Sequence, residues 1–304
     1  MVPFHRGASQ IVLWLTLLGA PAAAAPGPSG YQLKRKISVG GSGGWDYITF
    51  DGASRRLFVA HHDRVEVLDR VSGKVLGQVR DTPGVHGVAL VEKLGLGFAS
   101  AGRAGTVSVF DLGTLATKRR IKVGKKPDAI LYDAFSGRVL VFNGESSDTS
   151  IIDARRQSVV STLALGGAPE FAVTDGKGRV FVNLEDKHEL AVLDPKAGKL
   201  LARWPLGPCR EPTGLAIDVA HQRLFSVCAS KHMVVLDARS GALVATLPIG
   251  AHVDGCAFDP GTGYAFASNG EGTLTVVGRS RGKYDNSARL RFRGPIGYSE
   301  GADN

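Results

Sequence analysis

The sequence predicts an all-β fold, a β-propeller of four-stranded blades, and three observations lead to that prediction. A short apolar segment ending in aspartate recurs every 41 to 43 residues. Each repeat contains several short runs rich in Val, Ile, Leu and Phe, and no long amphipathic helix separates them. A period of this length made of short strands is typical of propeller blades rather than helical repeats. The recurring segments are 67–69, 109–111, 151–153, 192–194 and 235–237, and 276–278 is the related segment of a sixth repeat.

Every repeat has the same internal order. A first apolar strand leads into a tight turn, because aspartate bonds its own downstream backbone and glycine tolerates positive φ. A second strand, a third strand carrying the recurrent aspartate, and a polar outer strand follow. The inner strands are apolar on both faces, as expected where neighbouring blades cover them. Six blades are traceable within residues 45–283, and their first strands end at Asp51, Val91, Asp133, Asp175, Asp218 and Asp259.

The N-terminal residues read as an export signal rather than as part of the fold. The apolar run 11–18 is too short to cross a bilayer, and small residues follow it as far as Ala25. We therefore predict a signal peptide at 1–24, cleaved after Ala24, and a linker at 25–30. The protein is then periplasmic or secreted, with no transmembrane segment after cleavage. An uncleaved N-terminal anchor is the alternative.

The two ends of the repeat region leave its closure open. Residues 31–40 resemble the basic outer strand near 118–124, which predicts an orphan outer strand, while 284–304 are predicted to be an irregular basic tail. Strand 31–40 pairs with 273–277 and closes a six-bladed ring in one arrangement. In the other, which we favour, the tail around 284–292 completes the sixth blade and strand 31–40 lies beside a gap.

Three cysteines remain after signal cleavage, and an oxidising compartment allows one disulfide among them. We predict a bridge between Cys209 and Cys228, which lie at the same end of one blade, and a free Cys256 within a strand. Three free thiols are the alternative. The absence of a CxxC pair or a spaced Cys/His set argues against a structural zinc site or c-type haem attachment.

Stacking the repeats in register predicts a polar mouth at one end of the central channel. Five residues before each first-strand end lie Asp46, His86, Asp128, Glu170, Thr213 and Asp254. The second strands end at the same face and add Asn143, Asn183 and Asn269. These groups, apart from Thr213, are the predicted ligand-binding residues. Oxygen and imidazole groups of this kind suit a divalent cation. Its candidate ligands are Asp46, Asp128, Glu170 and Asp254, and no other cofactor is predicted. The alternative for each residue is a structural role in capping a turn.

Searches for catalytic motifs identify no catalytic residue, because neither a nucleophile elbow, a zinc-protease motif nor a phosphate-binding loop is present. The net charge is +9 at pH 7, and many basic residues fall in the turns at the face opposite the mouth. A basic surface attracts nucleic acid or anionic lipid. No ladder of aromatic residues accompanies these charges, so nucleic acid is the less favoured partner.

The blades resemble the bacterial exported branch of the YVTN-repeat, YncE-like β-propellers, and the resemblance covers about residues 31–283. It is carried by segments such as 44–47, 83–89, 127–133, 169–173, 211–218 and 268–277. It implies a seven-bladed, periplasmic or secreted propeller; most members have no assigned reaction, and a related protein is associated with single-stranded DNA binding. Because the family continues into a seventh blade, the resemblance also implies an incomplete last blade and a truncated or frame-shifted C-terminus.

The sequence therefore predicts an exported binding module that holds a ligand or protein partner, with a cation as one candidate, at the acidic mouth. The alternatives are a metal-dependent propeller enzyme of lactonase or isomerase type, which rests on fold analogy alone, and a single-stranded DNA-binding propeller. The identity of the ligand and the oligomeric state stay open at this level.

Overall fold

The computed structural model describes residue 31, residues 34–280 and residues 282–291. It confirms the predicted fold class, because these residues form six four-stranded antiparallel sheets arranged as propeller blades. Within the described ranges, no helix has the length and hydropathy needed to span a bilayer. The predicted signal peptide and linker lie outside the described residues.

The blades follow one another along the chain, each with its strands in sequence order. Blades 1 and 2 contain β1 (Trp45–Asp51), β2 (Arg56–His61), β3 (Arg64–Asp69), β4 (Val75–Val79), β5 (Val85–Val91), β6 (Leu96–Ala101), β7 (Thr106–Asp111) and β8 (Thr117–Lys122). Blades 3 and 4 contain β9 (Pro127–Asp133), β10 (Arg138–Asn143), β11 (Asp148–Asp153), β12 (Ser158–Ala164), β13 (Pro169–Thr174), β14 (Val180–Leu184), β15 (Glu189–Asp194) and β16 (Lys199–Pro205). Blades 5 and 6 contain β17 (Pro212–Asp218), β18 (Arg223–Cys228), β19 (His232–Asp237), β20 (Leu243–Pro248), β21 (Val253–Asp259), β22 (Tyr264–Asn269), β23 (Thr273–Ser280) and β24 (Lys283–Arg291).

The recurrent aspartates close the turn that follows the third strand of a blade. Asp69 shows the arrangement, because its Oδ1 accepts hydrogen bonds from the backbone N–H groups of Val71 and Ser72 at 3.1 and 2.6 Å. The same bonds recur after β7, β11, β15 and β19. This local chemistry explains why the aspartates are the most regular feature of the sequence.

The core lies between the blades rather than within them. Five buried apolar clusters each combine residues of two neighbouring blades, from blades 1 and 2 to blades 5 and 6. The inner strands β1, β5, β9, β13, β17 and β21 contact one another in that order. Among the described residues, no buried cluster joins blade 6 to blade 1. The described ring is therefore open at this point.

The structure has the favoured arrangement of the chain ends, in which the chain after β23 completes the sixth blade, but two details of the prediction need correction. Residues 283–291 form the outer strand β24 instead of an irregular tail, so the sixth blade is complete. Outer strands are exposed and tolerate basic residues, as β8 shows, so charge alone does not exclude a strand. Residues 34–40 form no strand, because β24 already pairs with the outer edge of β23 and leaves no edge there for them.

The N-terminal segment bridges the open side of the ring. The Tyr31 hydroxyl donates to Asp259 Oδ2 of blade 6 at 3.0 Å, and its ring lies 5.0 Å from that of Phe266. Four residues later, Arg35 donates to the Ser72 carbonyl oxygen of blade 1 at 3.2 Å. Tyr31 thus contacts the sixth blade and Arg35 the first.

The open side predicts an asymmetry between two equivalent positions. Ile48 on β1 is 64% exposed, whereas Val88, at the same position in the next blade, is 4% exposed. We expect Val88→Ala to lower the free energy of unfolding by about 2 kcal/mol and Ile48→Ala to lower it by less than about 0.5 kcal/mol. Urea unfolding of both variants checks this. Equal losses would mean that another surface covers Ile48.

The structure joins Cys209 and Cys228 in a disulfide, with Cα atoms 5.5 Å apart, and leaves Cys256 as a free cysteine. The bridge ties the loop before β17 to the end of β18, and both cysteines are fully buried in the cluster between blades 4 and 5. The whole Cys256 residue is half-buried, but its sulfur atom lies inside the protein. Burial around its sulfur raises the pKa of the Cys256 thiol and so makes it a poor nucleophile.

Candidate functional site

The predicted mouth positions fall where each inner strand slips in register against its neighbour. In all six blades the pairing is irregular close to this position, for example between Trp45 and Ile48 in blade 1 and between Val85 and Val88 in blade 2. A bulge of this kind points a side chain in a different direction from the one that the alternation of a regular strand would give it. The repeat thereby presents a polar side chain beside the channel from strands that are otherwise apolar.

Three of these residues converge closely and form what we call the Asp–His–Asp group: Asp46, His86 and Asp128. The His86 Nδ1 atom lies 2.6 Å from Asp46 Oδ2 and 3.8 Å from Asp128 Oδ1. One oxygen or nitrogen atom from each residue lies within 4.8 Å of the others. Their side chains are between 13 and 20% exposed, so the group is shielded but reachable.

Glu170 lies on the other side of the opening and is linked to blade 1. The Tyr47 hydroxyl donates to Glu170 Oε1 at 3.4 Å, and the Tyr47 ring packs edge-on against Phe171 at 5.0 Å. These contacts join blade 1 to blade 4 across the ring and fill the channel beside the mouth. Sequence analysis did not assign a role to Tyr47; its only signal is a large aromatic residue where blades 2, 5 and 6 have glycine.

The carboxyl groups of the mouth resist ionisation because they are buried together. Burial raises the pKa of Asp46, and burial together with the charge of Asp46 raises the pKa of Asp128 to about 6, although His86 opposes the shift. Burial, with Asp128 and Glu185 nearby, holds the pKa of Glu170 well above its ordinary value. The charge of Asp254 adds to the upward shifts at Asp128 and Glu170, so it belongs to the same set.

Two positive groups offset part of this charge. Burial disfavours the charged form of His86, but its hydrogen bond to Asp46 and the charge of Asp128 outweigh burial and raise the pKa of the imidazole. Lys126, just before β9, is close enough for its charge to lower the pKa of Asp46 and of Asp128. Thr213, the uncharged member of the ring, donates to the Val253 carbonyl oxygen at 3.2 Å and only braces the neighbouring strand.

The three asparagines of the predicted ligand-binding set lie inside the protein and bond to neighbouring protein groups. Asn143, Asn183 and Asn269 are fully buried. Asn143 donates to Asp148 Oδ1 at 2.6 Å, and Asn183 donates to the Thr213 carbonyl oxygen at 2.7 Å. Asn269 likewise bonds within its own blade. They stabilise strand ends because the end of a second strand is packed under the loops rather than open to the channel.

A cavity of about 690 Å³ opens beside the Asp–His–Asp group, between the loops of blades 1, 2 and 3. Asp46 and His86 line it, and so does Trp45, whose ring stacks on that of His61 at 3.6 Å. This volume lies in the range of small-molecule sites. The sequence predicted the carboxylates but not the cavity, which is formed by loops from three separate repeats.

Part of the positive charge on the face opposite the mouth is paired with carboxylates. Arg56 pairs with Asp51 at 3.2 Å, Arg179 with Asp175 at 3.0 Å, and Arg223 with Asp237 at 2.8 Å. Lys118 and Arg239 also pair with turn aspartates. Their partners are the aspartates that close the turns. These five basic residues are therefore engaged in holding the turns.

Comparisons with known proteins support the fold and leave the family open. No protein-family model matches the chain, and no curated protein matches it. Among 1755 matching chains of solved structures is a Kuenenia stuttgartiensis hydrazine synthase chain, at 17% sequence identity and a TM-score of 0.51. The match covers 78% of this chain and 95% of the other. A similarity at this identity is evidence for the β-propeller architecture alone.

Proposed function

We propose that this protein is an exported β-propeller binding module that holds a small polar ligand in the mouth cavity, anchored by a divalent cation at the Asp–His–Asp group. The observation that carries the proposal is the convergence of Asp46, His86 and Asp128 at the wall of a cavity of about 690 Å³. We also propose membership of the YVTN-repeat propellers, which rests on the sequence resemblance.

The chemistry of the three side chains suits a divalent cation. Two carboxylates and one imidazole form a mixed oxygen and nitrogen set typical of Mn²⁺, Zn²⁺ or Fe²⁺ sites. Three protein ligands beside a cavity leave coordination positions for a ligand or water. The mouth carries four carboxyl groups against His86 and Lys126, so a cation also relieves the repulsion that raises the carboxyl pKa values.

Export is supported by the chemistry of the cysteines. A disulfide such as Cys209–Cys228 persists in oxidising compartments and is rare in the cytosol. The predicted signal peptide at 1–24 is consistent with this location. Detection of a mature chain beginning near residue 25 in the periplasmic or medium fraction tests the proposal, and a full-length chain in the cytosol would contradict it.

Cation binding is tested with MnCl₂ and ZnCl₂ as separate probes. We expect one site per chain by titration calorimetry and a rise in melting temperature, because a ligand that binds only the folded state stabilises it. Asp46→Asn and Asp128→Asn should each weaken binding by about 100-fold or more, since loss of even an outer-shell partner costs about 10- to 100-fold.

Asp81→Asn is the matched control, because Asp81 is an exposed carboxylate outside the mouth. It should leave the affinity unchanged. Absence of saturable binding by the unaltered protein, or the same loss of affinity in the control and the two mouth variants, would contradict a cation site at the Asp–His–Asp group.

A second candidate function is hydrolysis or isomerisation at the same site. It is favoured by the shielded Asp128 carboxyl, whose pKa of about 6 is that of a group able to exchange protons near neutral pH. Turnover of a lactone panel that disappears in Asp128→Asn would favour this candidate over a pure binding role.

A further inference from the structure

We propose that the mouth cavity selects ligands that carry an oxyanion, a carboxylate or a phosphate group, which binds to a cationic wall formed by Arg103, Lys122, Lys125 and Lys126. This inference rests on the proposed function, because it names the ligand class of the same cavity. The proposed oxyanion site is the positively charged wall of the cavity, whereas the Asp–His–Asp group forms its acidic side.

The cationic wall brings together four exposed, positively charged residues at one cavity. All four side chains line the cavity, and the carboxylates that line it with them belong to Asp46 and Glu145. Among the described residues none of the four forms an ion pair, although many other basic residues do; the Arg103 guanidinium lies 3.4 Å from His62 Nε2 instead. Unpaired cations gathered in a cavity favour an anionic ligand.

The loops that carry these cations are held in place. The Lys125 backbone N–H donates to Ser146 Oγ at 3.0 Å, and the Lys126 carbonyl oxygen accepts from Gly144 at 2.9 Å. Gly124 packs so closely on blade 3 that a Cβ atom there would lie 2.6 Å from the Asn143 side chain. Fixed loops reduce the ordering cost when charged side chains bind a ligand.

The opposing charges of the cavity limit the size of the anion. The cationic wall lies on the side of blades 2 and 3, while Asp46 and the other mouth carboxyl groups lie toward the channel. A polyanion that filled the cavity would approach those carboxyl groups and be repelled. Trp45 is the sole Phe, Tyr or Trp residue among those lining the cavity, and the other rings are the imidazoles of His62 and His86, so successive bases find no row of large aromatic rings. A small ligand with one anionic end fits both features.

The oxyanion end also complements the cation proposed above. A carboxylate or phosphate bound at the cationic wall places its remaining polar groups toward the Asp–His–Asp group. The two sites are separable at Arg103 and Lys125, whereas Lys126 also lowers the pKa of Asp46 and of Asp128 through its charge. Each can therefore be removed while the other is kept.

The test uses inorganic phosphate and acetate as probes, at constant ionic strength set with sodium chloride. Trp45 lines the cavity and reports binding through its fluorescence, and Trp204→Phe removes the signal of blade 4. In that background we expect saturable quenching by at least one probe. Which probe binds more tightly distinguishes a carboxylate from a phosphate ligand. Trp45→Phe shows how much of the signal belongs to the cavity.

Two double variants test the cationic wall. Arg103→Gln/Lys125→Gln should weaken probe binding by at least about tenfold. Lys177→Gln/Lys196→Gln, which removes two exposed cations from turns at the opposite face, should leave it unchanged. Absence of saturable quenching, or equal weakening by the two double variants, would overturn the proposal. A single-stranded oligonucleotide that binds more tightly than both small probes would also overturn it.

The outcome separates this inference from the proposed function. Asp128→Asn should weaken cation binding by about 100-fold or more and retain oxyanion binding without added metal. Oxyanion binding in a protein that binds no cation would contradict the anchoring cation and support the cationic wall. Cation binding without any oxyanion binding would support the anchoring cation and contradict the cationic wall.

Discussion

Asparagine in place of Asp128 is expected to make the metal-free protein more stable at pH 7, by about 1 to 3 kcal/mol in the free energy of unfolding. Burial raises the pKa of this carboxyl group to about 6, above its unfolded value of 3.8. The folded state therefore holds the proton more tightly than the unfolded state. Stability contributed in this way is present below about pH 4 and is lost as the pH rises through 6.

Urea unfolding at pH values from 4 to 8 measures this effect. The unaltered protein should lose stability between about pH 4 and 6 more steeply than Asp128→Asn, and the two should be nearly equal at pH 4, where both side chains are uncharged. Asp81→Asn should show no such pH-dependent gain. A variant that is less stable than the unaltered protein at pH 7 would mean that the Asp128 carboxylate is a stabilising group rather than one kept for binding.

Removal of the disulfide is expected to cost about 3 kcal/mol of unfolding free energy, the value that chain entropy gives for a loop of this length. Cys209 and Cys228 are 19 residues apart in sequence, and both lie in the buried cluster between blades 4 and 5. The double variant Cys209→Ala/Cys228→Ala should unfold at lower denaturant concentration than the unaltered protein. Reduction of the unaltered protein should give a similar loss.

Cys256→Ala is the control for this prediction, because Cys256 is the free cysteine. The stability of Cys256→Ala is measured with and without reductant. The reductant should lower the stability of this variant as much as it lowers that of the unaltered protein. If reductant changes neither protein, the bridge contributes nothing to stability.

The sequence predicts the parts of the fold that depend on local chemistry. The aspartate of each third strand bonds the two backbone N–H groups that follow it, so five turns are visible as a repeated letter pattern. The mouth positions are likewise visible, because they lie five residues before the end of the first strand in each repeat. Periodicity thus places Asp46, His86 and Asp128 at equivalent positions before any distance is known.

Features that depend on contacts between repeats are not visible in the sequence. The burial of Asn143 depends on how closely Gly124 approaches it, and the bond of Tyr47 to Glu170 joins blades 1 and 4. The outer strand β24 is predicted only as one of two arrangements of the chain ends, because its basic sequence forms a strand only when the edge of β23 is available. The cavity exists only because loops of blades 1, 2 and 3 lie side by side. These features follow from packing rather than from local preference.

The most direct measurement of the central claim is anomalous diffraction from crystals soaked in MnCl₂. We expect one strong anomalous peak per chain, about 2.0 to 2.4 Å from Asp46, His86 and Asp128 ligand atoms, as carboxylate and imidazole ligands of divalent cations require. The same soak of Asp128→Asn crystals should lose that peak. An ordered Asp–His–Asp group with no peak, or a peak that persists in the variant, would contradict a cation site at the mouth.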